Sequence, residues 1–267
     1  MKYLLSVLLM FSILFAEEDM NKHYYKLNSI TFKHSNCIAS QKNRMCLNRK
    51  LTYPKTDIFN NTIAETLNMY IQTLKQEMEK ETLKDYAVET DEDIDHLSHI
   101  FPYYSIESEV ELLDYNEPIV TLKKYSYGST GGPHPFHYTE YINYDTNSKK
   151  ELALKDLVDM NNSKFLYVAE REYKESESLS PSDSLTQAGW LENKFEITTN
   201  FAVTGAGLLF FYNEYEVKPY ADGSSSFLIT YDKIINFIKP DTPLKKIAKK
   251  YCNSLSKKVD TKLMDDE

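Results

Sequence analysis

The chain has 267 residues with 40 acidic and 31 basic side chains, so its formal net charge is −9. That balance repels nucleic acid and anionic lipid and draws in cationic partners. The length suits one large domain or two small ones.

The chain opens MKYLLSVLLMFSILFAEED. Lys2, an apolar run from Leu4 to Phe15, Ala16 and then Glu17 and Glu18 have the layout of a secretory signal peptide over residues 1–16. The run is too short to span a bilayer comfortably. Cleavage after Ala16 removes Lys2, the single charge of that segment, and takes the net charge from −9 to −10. The expected location is periplasmic or secreted. No cysteine follows the run, so no lipid anchor is expected, and no other segment is apolar enough for a membrane span. In an oxidising compartment Cys37 and Cys46 are the natural disulfide, worth about 2–3 kcal/mol if unfolded-chain entropy governs. Pairing of Cys252 with either one stays open, since the count of three is odd.

Residues 17–100 read as a small α/β module. His23 to Tyr53 is strand-like and stops at Pro54. Phe59, Ile63, Leu67, Tyr70, Ile71, Leu74 and Met78 recur at steps of three and four behind the capping candidates Asp57 and Asn60, which predicts a helix. Asp91, Asp93 and Asp95 alternate as in a calcium loop, but His96 and Pro102 stand where that loop needs glycine and glutamate. Thr90 capping an acidic first turn explains the same residues.

Residues 101–245 read as a second module. It holds strands at Tyr104–Asp114, Ile119–Tyr127 and Phe136–Tyr144, then a turn, a short extended piece and a helix running through Phe165 and Ala169. Glu175 to Ala188 reads as an exposed serine-rich loop. Alternation predicts a strand over Phe195–Val203, a turn at Gly205 and Gly207, a return strand over Leu208–Val217, and a strand through Phe227, Ile229 and Tyr231 before a short helix. Residues 246–267 read as a charged tail. The predicted class is α+β, antiparallel sheets with helices on one face, in two small modules.

Three of the seven glycines, Gly128, Gly131 and Gly132, crowd the stretch YSYGSTGGPHPFHYTEYINYD. A phosphate loop needs a lysine and a helix after its glycines, and here Pro133 and a strand follow. His134 and His137 stand three apart, which on a strand puts them on opposite faces, and His96 and His99 have no link to them. No metal and no cofactor are expected. The serines lie in no nucleophile elbow, so no enzyme is expected; a pair of carboxylates acting on glycan stays the alternative, as does a structural envelope protein. The remaining reading is a rigid projecting loop flanked by Tyr125, Tyr127, Phe136 and Tyr138.

These residues carry a family resemblance. YSYGSTGGPHPFHYTEYINYDTNSKKELALKDLV and, about 90 residues on, TGAGLLFFYNEYEVKPYADGSSSFLITYDKI resemble the Gly-Gly-x-His-Pro loop and the Y-x-I-x-P-Y-A-x-G signature of the RsiV-like domain of unknown function. The resemblance covers residues 100–240, and the segment before it is similar to the family's usual N-terminal α/β domain. Family members include the extracellular part of a lysozyme-sensing anti-sigma factor and a domain attached to a peptidoglycan deacetylase. Ser148 replaces the family's turn glycine, and the sigma-binding and deacetylase parts have no counterpart here. The resemblance implies an exported binding protein whose partner is a cationic protein such as a lysozyme, or peptidoglycan. Its two motif loops supply the binding candidates Ser129, Thr130, Gly131, Gly132 and His134 on one, and Pro219, Tyr220, Asp222 and Gly223 on the other. Tyr220 is either the anchor that enters a partner or a ring that packs its own hairpin.

Overall fold

Strand β1 (Ser29–Ala39) and strand β2 (Arg44–Pro54) form an antiparallel hairpin in which Cys37 faces Cys46. This computed structural model describes residues 28–101 and 103–264, so the expected signal segment lies outside the described residues. A disulfide joins Cys37 to Cys46 and Cys252 is free. Helix α1 (Asn61–Lys80) starts at Asn60, whose Oδ1 accepts the Ile63 N–H at 3.0 Å; Asp57 sits one turn earlier, in a 3-10 turn. The helix buries Ile63, Leu67, Ile71 and Leu74 against Leu51, Val110, Leu122 and Ile142 of the sheet. Helix α2 (Asp91–Leu97) is capped reciprocally: Thr90 Oγ1 accepts from the Asp93 N–H and Asp93 Oδ2 accepts from the Thr90 N–H. The acidic run is a helix start.

The chain then enters strand β3 (Tyr103–Asn116), parallel to β2, followed by antiparallel β4 (Ile119–Ser129), β5 (Phe136–Asp145) and the short β6 (Lys150–Glu151). A parallel neighbour needs a crossover, and α1 provides it. All six strands form one sheet in chain order, so the expected module boundary at 100 and 101 falls inside a continuous sheet. Past β6 the predicted single helix is two, α3 (Leu154–Leu157) and α4 (Ser163–Ser176), the second capped by Asn162. The serine-rich loop expected over Glu175–Ala188 is not wholly exposed, because Leu185 enters the core, as does Trp190 just beyond it.

A second sheet holds β7 (Phe201–Val203), β8 (Gly207–Tyr212) and β9 (Ser225–Thr230). It is shorter than the alternation predicts. Phe195 stacks on Trp190 outside any strand, and the return strand stops at Tyr212 because the next residue, Asn213, is engaged elsewhere. Tyr231 begins helix α5 (Tyr231–Ile234) rather than continuing β9. The expected tail begins inside helix α6 (Pro243–Met264), whose Leu244, Ile247 and Ala248 have helical spacing and lie in the core. The class is α+β, as the sequence predicts.

The two sheets meet through asparagine side chains. Asn143 on β5 is 1% exposed; its Nδ2 donates to Phe201 O and its Oδ1 accepts from the Val203 N–H, both at 2.8 Å. Thr121 Oγ1 stands 2.9 Å from Asn143 Oδ1 and 2.8 Å from Val203 O, and its one proton serves one of them. In return, Asn213 and Asn200 cap the outer edge of β5. Asn213 Oδ1 accepts from the Thr139 N–H at 2.7 Å and its Nδ2 donates to Thr139 O at 3.0 Å, while Asn200 Oδ1 accepts from the Tyr141 N–H at 2.9 Å.

Asn143→Leu would leave a buried N–H and a buried C=O without partners, each costing about 1–3 kcal/mol. The expected result is a urea midpoint lowered by about 3 kcal/mol of stability at unchanged m; an unchanged midpoint would refute the linkage. Thiol counting tests the cysteine assignment. Denatured without reductant the chain should take one maleimide, at Cys252, and after reduction three.

Candidate functional site

The glycine loop joins β4 to β5. Gly131 has φ of 85°, and a Cβ there would come within 2.7 Å of the Tyr104 hydroxyl, so both backbone and space require glycine. The second loop leaves β8 at Asn213, turns through Tyr215 at φ of 67°, and reaches a 3-10 turn over Tyr220–Asp222.

The fold brings the two loops together. The His134 and Tyr220 rings stack with centroids 3.9 Å apart, and the Tyr220 hydroxyl donates to Pro135 O at 3.2 Å. Tyr215 closes the cluster: its ring lies 6.0 Å from that of His134, and its hydroxyl is 3.0 Å from His134 Nε2. Tyr220 is half-buried, whereas Tyr215 is 61% exposed. Pro219 and Gly223 frame the second loop. Ser129, Gly132 and Asp222 are exposed, and no ring contact or hydrogen bond among the described residues ties them or Thr130 to the cluster. Asp222 lies instead against Gly189.

Below the cluster is a cleft of about 390 Å³ lined by Arg49, Phe136, His137, Tyr138, Glu214 and the three clustered rings. His134 and His137 both reach it because His134 precedes the strand. A neighbouring cleft of about 240 Å³ shares His137, Tyr138 and Glu214 and adds Tyr125 and Phe211. Glu214 is the only carboxylate among the residues lining these two clefts. Among the described residues no three His, Cys, Asp or Glu side chains stand close enough to hold a metal. Arg49 is bridged to Glu81, and burial lowers its pKa from the usual value.

Sequence reasoning missed Tyr215, Glu214 and Arg49. The first two stand in YNEYEV, where the predicted strand concealed a turn; Arg49 carries no sequence signal. A buried lysine holds that turn. Lys218 Nζ donates to Glu177 Oε1 at 2.9 Å and lies over the Tyr173 ring, while Lys218 O accepts from the Tyr215 N–H at 3.1 Å.

Residues 147–232 match the family model "Protein of unknown function (DUF3298)". The match includes the second loop and leaves out the glycine loop. Two solved structures share the fold. A member of the DUF3298 family from Bacteroides fragilis is 17% identical with a TM-score of 0.60, over 82% of this chain and 96% of that one. A DUF3298 family protein from Pseudomonas aeruginosa is 18% identical with a TM-score of 0.52, over 80% of this chain and 94% of that one. At such identity the likeness shows the fold alone. No curated protein matches the chain.

Burial disfavours the Lys218 charge, but Glu177 and Tyr173 outweigh it and hold its pKa above the usual lysine value. A raised lysine pKa stabilises the fold fully below the unfolded value of about 10.4, and the contribution is lost as pH rises through the folded value. Stability should therefore fall above about pH 10 in the wild type, and Lys218→Met should flatten part of that fall. Urea midpoints at about pH 8 and about pH 11 read the difference; equal losses in both proteins would show that Lys218 does not carry it.

Proposed function

We propose that this is an exported binding protein that recognises, and blocks, a cationic wall-degrading enzyme of the lysozyme type. The observation that carries the reading is the stack of His134 on Tyr220, which joins two separate loops into one aromatic knob with Tyr215 at its tip. An exposed tyrosine held in place by its neighbours is the composition of an interface anchor. The net charge, −9 for the whole chain and −10 after cleavage of residues 1–16, raises the encounter rate with a basic protein and cannot by itself select one. The RsiV-like resemblance of the two loop motifs supplies the class of partner. Export rests on the leader pattern of residues 1–16, and no helix among the described residues is long and apolar enough to cross a membrane.

The alternative, hydrolysis or deacetylation of wall glycan, needs at least a second catalytic group beside a carboxylate. Glu214 is the only carboxylate lining these two clefts, which speaks against a carboxylate-pair mechanism there.

Titration with a panel of lysozymes tests the reading. Binding should weaken steeply with salt, and Tyr215→Ala should cost about 2 kcal/mol, roughly thirtyfold in affinity, with the fold intact. Tyr220→Ala should weaken binding as well, by releasing His134. No binding at low salt would remove the partner; unchanged binding in both variants would remove the knob.

A further inference from the structure

We propose that the smaller cleft beside the knob is a receptor for one arginine side chain presented by the protein partner. The inference deepens the reading above and rests on it. Its walls are the rings of Tyr125, Tyr138 and Phe211, and its polar end is Glu214.

Glu214 decides the chemistry. Its half-buried carboxylate makes no hydrogen bond or ion pair with any described residue. The carboxylates around it are engaged, Glu140 with Lys124 and Glu216 with Asn213 Nδ2. Several other polar groups of the cleft are engaged, which leaves the Tyr138 and Ser224 hydroxyls beside Glu214. Thr139 and Asn213 satisfy one another through the backbone of β5, and the Tyr125 hydroxyl is bonded to His137 Nδ1. A free acceptor between aromatic faces fits a ligand that is all donor, flat and weakly hydrated. Guanidinium has those properties: it stacks on rings and forks two N–H bonds onto one carboxylate.

The local field agrees. Burial, then Glu214, raises the Tyr125 pKa; burial, then Glu216 and Glu140, raises that of Tyr138. The one lysine or arginine lining either cleft, Arg49, lies in the larger one and is bridged to Glu81. A saccharide suits the site less well, because it would leave the Glu214 charge without a counter-ion, whereas guanidinium both neutralises that charge and stacks on the rings.

The test uses the full chain and N-acetyl-arginine methylamide, followed by backbone amide shifts at residues 213–215. Its citrulline counterpart keeps the shape and lacks the charge, and chitotriose represents glycan. Saturable shifts with the arginine probe and none with citrulline are expected. Glu214→Gln should weaken the probe at least about tenfold, while Glu79→Gln, with the same change in net charge on the exposed face of α1, should not. Tyr138→Leu, which removes one exposed wall, gives a second reading should Glu214→Gln disturb the fold. Equal binding of arginine and citrulline probes, an undiminished Glu214→Gln protein, or chitotriose binding where arginine is inert would overturn the proposal. An inert arginine probe beside intact lysozyme binding removes the receptor and leaves the partner. Arginine binding without lysozyme binding keeps the receptor and removes the partner named above.

Discussion

The reciprocal exchange of asparagine amides between the two sheets is the constraint on which the rest of the molecule depends. A side-chain amide carries a donor NH2 beside an acceptor oxygen at a spacing close to that of a strand's edge, so Asn143 completes β7 and Asn213 completes β5 where no further strand is present. Neither sheet could bury those edges otherwise, because unpaired backbone groups away from water cost as much as the packing there returns. The same contacts fix the position of the following turn. Asn213 is clamped to Thr139, so Glu214 and Tyr215 have one place to go.

The aromatic cluster is built on that clamp and held from the far side by Lys218. A buried ammonium is costly unless paired, and here Glu177 and the Tyr173 ring both face it. Helix α4 is thereby coupled to the turn that carries Tyr215. Backbone strain at Tyr215 is offset by this double attachment, which is why a non-glycine residue can stand in the left-handed region at the tip.

Much of the fold was legible in the sequence because short-range chemistry dominates it. The capping of α1 and α2, the strand stop at Pro54 and the strands either side of the glycine loop all follow from residues within one turn or one strand of each other. What was not legible depends on contacts far apart in the chain. Phe195–Asn200 alternates like a strand but serves the core and the edge of β5 instead, and the stretch after Tyr212 continues an apolar pattern while Asn213 is pulled away by β5. Residues past 245 looked like a charged tail because lysines outnumber the few apolar positions, yet Leu244, Ile247 and Ala248 at helical spacing are enough to dock α6. The site divides the same way. The two glycine-bearing loops announce themselves by composition, but that His134 would stack on Tyr220, and that Tyr215 and Glu214 would flank the stack, needed the asparagine exchange, which has no local signature.

The wide separation in sequence of those linked residues has a consequence for the order in which the molecule is made. Asn143 and its partners on β7 are 58 to 60 positions apart, and Asn213 reaches back 74 to Thr139. The β1–β2 hairpin and its disulfide close over short loops, and the β3–β4–β5 meander pairs without any later residue. That early sheet carries only one side of the two clefts, with Tyr125, His134, His137 and Tyr138. Only when the last third of the chain arrives do Glu214, Tyr215 and Tyr220 close the clefts and complete the ring stack, so a chain clipped before them lacks both features at once.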